Sequence, residues 1–232
     1  MKISWPSLSK DLRAPAAVGI VSTMAVVGIT GNIASGKSTF RDTLAGLTGA
    51  RVFDADSAAK DLLARDPDIR SRVVAELGPS AYTADGTPDR DWLRRRIFDD
   101  AEARRRLEAI LHPAVRRAWS IPAKDPVFQT SHFLVDIPLL FETGADSELP
   151  YVVVVACSPA VQECRLAARG LDAVTAHRII DSQMPQDEKI ARASVVVWND
   201  GSLEVLEAQA RVIASRWVQP PAGDLSRPAR AA

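Results

Sequence analysis

Eight residues near the start of the chain have the composition and spacing of a phosphate-binding loop. Residues 31–38 read GNIASGKS and match the pattern G-x-x-x-x-G-K-[ST]. The glycines let successive backbone N–H groups converge on phosphate oxygens, and the N-terminus of a following helix adds positive potential. The pattern directs Lys37 to the β- and γ-phosphates of a nucleotide, and the Ser38 hydroxyl to Mg²⁺. The loop therefore predicts a nucleotide-binding protein.

Two carboxylates follow the second predicted strand. Asp54 and Asp56 come after the short apolar run at residues 51–53, and ligands of open parallel sheets bind at the carboxyl ends of the strands. A carboxylate there can accept the proton of an alcohol or hold a Mg²⁺-bound water, and the i, i+2 spacing sends both side chains to one face. A second interpretation makes Asp56 the N-cap of a helix that begins at Ser57, and the two roles can coexist.

A basic helical segment lies late in the chain. Gln162, Arg165 and Arg169 are spaced by three and four residues, so they share one helix face. Arginines on a mobile flap neutralise a transferring phosphoryl group and exclude water, which is typical of a small-molecule kinase. An ordinary solvated helix face is the alternative for either arginine.

Other classes of phosphate-loop protein fit the sequence less well. No N-K-x-D string is present, which argues against a regulatory GTPase. Asp136 ends the third predicted strand, but Ile-Pro follows it instead of the Glu usual in transport ATPases. Asp136 is either the second acid of a phosphate-loop site or a strand-end hydrogen-bonding residue.

The elements that must position these groups alternate between strands and helices. Short apolar runs predict strands at residues 25–30, 51–53, 133–136, 151–156 and 194–198. Helical periodicity predicts helices over 37–47, 160–190 and 202–216, and wholly helical structure over 57–119. The fold class is therefore α/β, a P-loop NTPase-type three-layer sandwich with a parallel sheet, an inserted helical substrate lobe and a helical lid.

Composition excludes several kinds of partner. The 232-residue chain has 29 Lys+Arg and 29 Asp+Glu, so we expect no nucleic acid partner of the bulk polycation kind. Two cysteines and no zinc-spaced Cys/His cluster indicate a reducing, cytoplasmic setting. The apolar run at 14–29 is too short to span a membrane and leads into the phosphate loop, so we expect no membrane partner.

Ordered strings along residues 25–215 resemble the dephospho-CoA kinase family. They are GITGNIASGKST (28–39), VFDADSAAKDLL (52–63), DGTPDRDWLRRRIF (85–98), LHP (111–113), DIPLLFE (136–142), Gln162 with Arg165 and Arg169, Gln183, and Asn199-Asp200-Gly201. The resemblance implies ATP-dependent phosphorylation of the ribose 3′-hydroxyl of dephospho-CoA, with Mg²⁺ as cofactor. The family usually has glycine at the positions of Asn32 and Ala34, and Ala34 restricts φ where glycine would not.

The resemblance also implies roles for individual residues. The catalytic set is Asp56 as base, with Lys37, Arg165 and Arg169. The substrate-binding set is Asp54, Asp56, Arg90 and His112, although His112-Pro113 could instead be a helix-interrupting packing element. The ATP-binding set is Gly31, Asn32, Ile33, Ala34, Ser35, Gly36, Lys37, Ser38 and Thr39, with Asn199 near the adenine; Ser38 also ligates Mg²⁺.

The expected organisation is one kinase domain over residues 25–216. Its core comprises about 25–56, 127–158 and 191–216, its CoA-binding lobe about 57–120 and its lid about 159–186. Residues 1–24 are expected to be a dispensable extension and 217–232 a disordered tail. We expect a monomer or a weak homo-oligomer.

Two other functions stay open at this point. One is a different small-molecule P-loop kinase, with a nucleoside monophosphate or a small alcohol as acceptor. The string DIPLLFE and the large helical insert argue against it. The other is a nucleotide-binding regulatory module without turnover.

Overall fold

A five-stranded parallel sheet forms the centre of the protein. The computed structural model describes residues 26–124 and 132–218. The strands are β1 (Val26–Thr30), β2 (Arg51–Asp54), β3 (Phe133–Asp136), β4 (Val152–Ala156) and β5 (Val195–Trp198), in the order β2-β3-β1-β4-β5. Strands β1, β3 and β4 are buried throughout, as expected where helical layers cover both faces of a parallel sheet. The predicted strands are confirmed to within one residue at each end.

Apolar layers on the two faces of the sheet hold it in place. Helices α1 (Lys37–Thr48) and α9 (Leu203–Val218) pack against each other, and Phe40, Leu44 and Leu206 are buried in one layer. The opposite layer includes Trp119, Leu140 and Phe141. The three-layer α/β prediction is thereby confirmed.

The chain between β2 and β3 folds into a helical lobe with a core of its own. It contains α2 (Ala55–Arg65), α3 (Pro67–Leu77), a 3₁₀ turn (Pro79–Ala81), α4 (Arg90–Asp99) and α5 (Ala101–Ala123). Aspartates accept backbone N–H groups at the four helix N-termini, which explains why the helices begin at these points. Helix α5 continues across Pro113, so the expectation of a helix interruption at His112-Pro113 is wrong.

The predicted continuous helix over 160–190 is instead three short helices. They are α6 (Pro159–Ala168), α7 (Ala173–Asp181) and α8 (Gln186–Arg192). Gly170 lies in the turn between α6 and α7, and its φ of 81° is a left-handed conformation that favours glycine. Pro185 directly precedes α8. Glycine and proline are the residue types that mark such breaks in a sequence, and the prediction of one continuous helix passed over both.

The two ends of the chain lie mostly outside this description. The predicted extension at 1–24 is outside the described residues, as is 219–232 of the predicted tail. Helix α9 reaches Val218 and so runs two residues into the range predicted as tail. Within 26–124 and 132–218, no helix combines the length and apolar character needed to cross a membrane.

Candidate active site

The phosphate loop joins the C-terminal end of β1 to the start of α1. A Cβ atom at Gly31 would lie 2.3 Å from the Val155 carbonyl oxygen, and one at Gly36 would lie 2.0 Å from Asn199 Nδ2. Gly36 also has a φ of 90°, which side-chain-bearing residues rarely adopt. Both glycines are therefore required by close packing of the loop.

Ala34 takes the backbone conformation that its place in the loop demands, at some cost. Its φ is 61°, and among the described residues it is the one non-glycine residue with positive φ. The methyl group is buried against Leu166 of α6 and Ala176 of α7. This contact offsets part of the strain and ties the loop to the predicted lid.

Two side-chain oxygens of the loop retain unused hydrogen-bonding capacity. Asn32 Oδ1 and Ser35 Oγ are buried and have no hydrogen-bond partner within 26–124 and 132–218. Buried polar atoms are normally paired. Ser38 and Thr39 begin α1 with exposed side chains. The loop and the N-terminus of α1 thus offer polar groups to an anionic ligand.

Lys37 and Asp136 form the electrostatic centre of the site. Asp136, at the end of β3, is 1% exposed and accepts a hydrogen bond from Lys37 Nζ. Its other oxygen accepts from Arg41 Nη1 at 2.8 Å, and the same guanidinium nitrogen lies 2.8 Å from Asp54 Oδ2. Asp136 is therefore a buried acid at a strand end, paired with two cations beside the phosphate loop.

Sequence reasoning missed Arg41. It lies one helical turn after Lys37 on α1, and this i, i+4 spacing is the only signal that both cations share a face. Its guanidinium pKa is raised, first by the hydrogen bond to Asp42 and then by Asp136. Strand pairing brings Asp54 and Asp136 side by side at the end of the sheet, where the arginine joins them.

The N-cap of α2 is Asp54 and not Asp56. Asp54 Oδ1 accepts from the Ser57 N–H at 2.9 Å, while Asp56 lies inside the first helical turn. The cap interpretation of Asp56 is therefore wrong, because the helix begins at Ala55, two residues earlier than expected. The shared-face argument fails for the same reason, since strand alternation stops at Asp54.

The two aspartates have pKa values shifted in opposite directions. Burial raises the pKa of Asp54, but the Ser57 hydrogen bond and the charge of Arg41 outweigh it, so the net shift is downward. Asp56 reaches solvent, yet the protein around it desolvates the carboxylate, and this together with the charge of Asp54 raises its pKa. Asp56 is thus the more basic carboxylate.

A cavity of about 450 Å³ lies between the helical lobe and the core. Asp56 and His112 both line it, with apolar walls from Leu107, Trp119 and Ile137. A mostly apolar cavity with a few polar groups is typical of a small-molecule site. Of the predicted acceptor-binding residues, Asp54 lies beside this cavity at the sheet end, whereas Arg90 is exposed at the start of α4 and does not line it.

Arg165 lies behind the phosphate loop. Its Nη1 donates to the Ala34 and Ser35 carbonyls at 3.2 Å, and its Nη2 donates to the Asn199 carbonyl at 2.9 Å. These hydrogen bonds occupy the guanidinium group. The geometry therefore favours a role for Arg165 in stabilising the phosphate loop over the predicted contact with the transferring phosphate. Arg169, one turn later at the end of α6, is exposed.

Two amides reinforce the same arrangement. Gln162 Nε2 donates to the Ile33 carbonyl at 2.8 Å, and buried Asn199 Nδ2 donates to the Ser35 carbonyl at 2.8 Å. Asn199, predicted near the adenine, therefore lies directly under the loop. The glutamine and arginine do share one helix face, as predicted, and that face meets the loop.

Several known proteins are similar to this chain in sequence and in fold. A family model described as dephospho-CoA kinase matches residues 25–204. The dephospho-CoA kinase of Syntrophotalea carbinolica is 41% identical over 84% of this chain and 93% of that protein. A crystal structure from Thermus thermophilus has a TM-score of 0.68 at 33% identity, covering 84% of this chain and 98% of that one. The Campylobacter jejuni dephospho-CoA kinase has a TM-score of 0.64 at 25% identity, covering 82% and 96%. The chain therefore belongs to the dephospho-CoA kinase family.

Proposed function

We propose that the protein transfers the γ-phosphate of ATP to the ribose 3′-hydroxyl of dephospho-CoA, giving coenzyme A and ADP. The observation that carries this proposal is the position of Asp56. Asp56 lines the 450 Å³ cavity, and its carboxylate interacts electrostatically with the charge of Lys37. Asp56 is thus a base between the cavity that would hold the acceptor alcohol and the phosphate loop that would hold ATP. Phosphorylation of an alcohol requires this arrangement.

The chain's own residues divide the work of the reaction. Asp56 accepts the hydroxyl proton as the acceptor oxygen bonds to the γ-phosphorus and the bond to the β-γ bridging oxygen breaks. Lys37 leaves Asp136 and binds the β- and γ-phosphates, while Arg41 keeps Asp136 neutralised. Arg169, on the lid over about 159–186, balances the charge that spreads over the transferring group.

The Ser38 hydroxyl is the protein oxygen that we propose as a Mg²⁺ ligand. The Ser38 hydroxyl is exposed at the N-terminus of α1, and no group of three His, Cys, Asp or Glu side chains in the described part of the chain forms a metal cage. That suits a cation held by Ser38 and by nucleotide phosphates. When bound, Mg²⁺ neutralises charge on the β- and γ-phosphates.

A coupled ADP-release assay tests the function. Dephospho-CoA, AMP and shikimate are supplied in turn as acceptors at saturating ATP. We expect ADP release with dephospho-CoA alone to exceed the acceptor-free rate clearly. Turnover with AMP or shikimate instead would favour a different small-molecule kinase, and no turnover with any acceptor would favour a regulatory module.

Arg169→Ala is expected to lower kcat more than it raises the KM for dephospho-CoA. The charge that Arg169 balances develops during transfer and is small in the ground state. Steady-state kinetics measure both constants. Arg165→Ala is the matched comparison: because Arg165 holds loop carbonyls, it should lower the melting temperature and weaken ATP binding as well. Equal effects of the two variants on stability would contradict this division of roles.

Closure of the lid predicts a change in hydrogen exchange. Amide exchange over residues 160–185 should slow when a non-hydrolysable ATP analogue and dephospho-CoA are both present, because the short helices α6 and α7 make few buried apolar contacts. Mass-detected exchange on the full chain measures it. Unchanged protection in this range would remove the lid proposal.

Two further properties stay predictions from the sequence. One is a cytoplasmic location, and the other is a monomeric or weakly associating state.

The helical lobe over about 57–120 is proposed to hold the CoA portion, because its helices α2, α4 and α5 supply much of the cavity wall.

A further inference from the structure

A fully buried lysine lies outside the groups that the reaction uses. Lys189, in α8, is 0% exposed. Its Nζ lies 2.9 Å from Glu142 Oε1 and donates to the Pro138 carbonyl oxygen at 3.3 Å. A buried ammonium group is costly unless it is paired and hydrogen-bonded. Lys189 is satisfied only where α8 and the 138–142 segment meet in this geometry.

Glu142 connects this pair to the phosphate loop. Its Oε1 also accepts from the Met184 N–H at 3.0 Å, and the Met184 carbonyl accepts from Asn32 Nδ2 at 3.3 Å. The neighbouring Gln183 Oε1 accepts from the Ile33 N–H at 2.9 Å. Adjacent residues before α8 thus bond both to the loop and to Glu142.

The other end of the pair reaches the acceptor cavity. Pro138 lines that cavity, as do its neighbours Ile137 and Leu139. The Pro138 carbonyl accepts from Thr30 Oγ1 at 3.0 Å as well as from Lys189. One cavity wall is therefore attached by hydrogen bonds to the last residue of β1 and to a buried charge.

We propose that Glu142 and Lys189 are positioning residues that couple nucleotide binding at the loop to acceptor binding in the cavity. The inference rests on the proposed function for the identity of the two ligands. Phosphate binding fixes the loop backbone, and the bonds from Asn32 and Ile33 carry that restraint to Met184 and Glu142. The ion pair, in which Lys189 is fully buried and Glu142 is partly exposed, transmits it to Pro138, because the buried lysine charge cannot move away without losing its partner.

The coupling can be measured by calorimetry as a ratio of two dissociation constants. The ratio is the Kd for dephospho-CoA without nucleotide divided by the Kd for dephospho-CoA with a saturating non-hydrolysable ATP analogue. For the wild-type full chain we expect a ratio of about 5 or more, the usual lower range of linked sites. A wild-type ratio of one would overturn the inference.

The decisive variant removes both charges together. Glu142→Gln with Lys189→Met avoids leaving one buried charge unpaired. We expect its ratio to fall to about one while its Kd for nucleotide alone stays within about twofold of wild type. A folded double variant with the wild-type ratio would overturn the proposal. Should it fail to fold, Lys189→Met alone decides, because the Glu142 carboxylate left behind is partly exposed to solvent: we expect at least a twofold lower ratio, and an unchanged ratio is the contrary result.

A neighbouring surface ion pair provides the matched control. Arg192 on the same helix lies 2.6 Å from Asp146 Oδ2, just beyond the same segment, with both side chains partly exposed. Asp146→Asn should leave the ratio unchanged, and an equal fall there would assign the effect to general loosening of α8.

Absence of turnover in the wild type would contradict the proposed function, whereas turnover with a ratio of one would contradict only the coupling.

Discussion

Lys37→Ala is expected to lower kcat by at least about 10²–10³ while leaving the fold intact. The ammonium group compensates charge on the β- and γ-phosphates that grows during transfer, in a loop where no other lysine is present. The rate is measured by ADP release at saturating ATP and dephospho-CoA. Wild-type-like turnover would refute the assignment of this loop.

The structure explains why stability should survive this change. Without Lys37, Asp136 still accepts a hydrogen bond from Arg41 at 2.8 Å, so its buried charge is not left unpaired. Circular dichroism and the melting temperature check this point. Lys124→Ala is the control, because Lys124 is an exposed lysine at the end of α5 and should change neither rate nor stability.

Asp56→Asn is expected to lower kcat by about 10² or more. Asparagine has nearly the same shape as aspartate but neither its negative charge nor its basicity. Because Asp54, and not Asp56, caps α2, the substitution leaves the helix N-terminus intact. A kcat within about threefold of wild type at saturating substrates would remove the catalytic role of Asp56.

The raised pKa of Asp56 adds a pH signature with a definite sign. The base acts when ionised, so the acidic limb of the kcat/KM profile should lie above the pH of an ordinary aspartate. Since the folded pKa exceeds the unfolded one, the folded state holds more protons between these values, and stability falls as pH rises through that window. At pH 7, Asp56→Asn should therefore melt at the same temperature as wild type or slightly higher.

Asp54→Asn separates charge near the site from catalysis. Its side-chain oxygen can still cap α2, but the partly exposed ion pair with Arg41 is lost, at a cost of about 0–1 kcal/mol. We expect a kinetic effect smaller than that of Asp56→Asn. A larger one would move the role of base to Asp54.

Local patterns in the sequence were sufficient for the frame of the protein. Apolar runs place all five strands, and the physical reason is plainest for the inner strands β1, β3 and β4, because a parallel strand buried on both faces is largely apolar. The phosphate loop is equally readable, since its glycines are dictated by backbone approach and its lysine by the ligand. The order of the motifs along the chain was enough to indicate the kinase family.

The roles of several site residues depend on contacts between segments that are distant in the sequence. Arg41 acquires its role only when strand pairing brings Asp54 beside Asp136. Arg165 has the spacing of a lid arginine, yet α6 packs so that its guanidinium donates to the carbonyls of Ala34 and Ser35, which are 131 and 130 residues away. Helical periodicity predicts which side chains share a face, but the neighbour of that face is set by how the whole chain packs.

The buried lysine shows the same limit most clearly. In the sequence, Lys189 stands in the charged run Gln186–Arg192 and reads as a solvated helix residue. In the fold it is fully buried against Glu142 and Pro138. Burial depends on the surroundings of a side chain and not on its type, so tertiary structure alone distinguishes this lysine from its exposed neighbours.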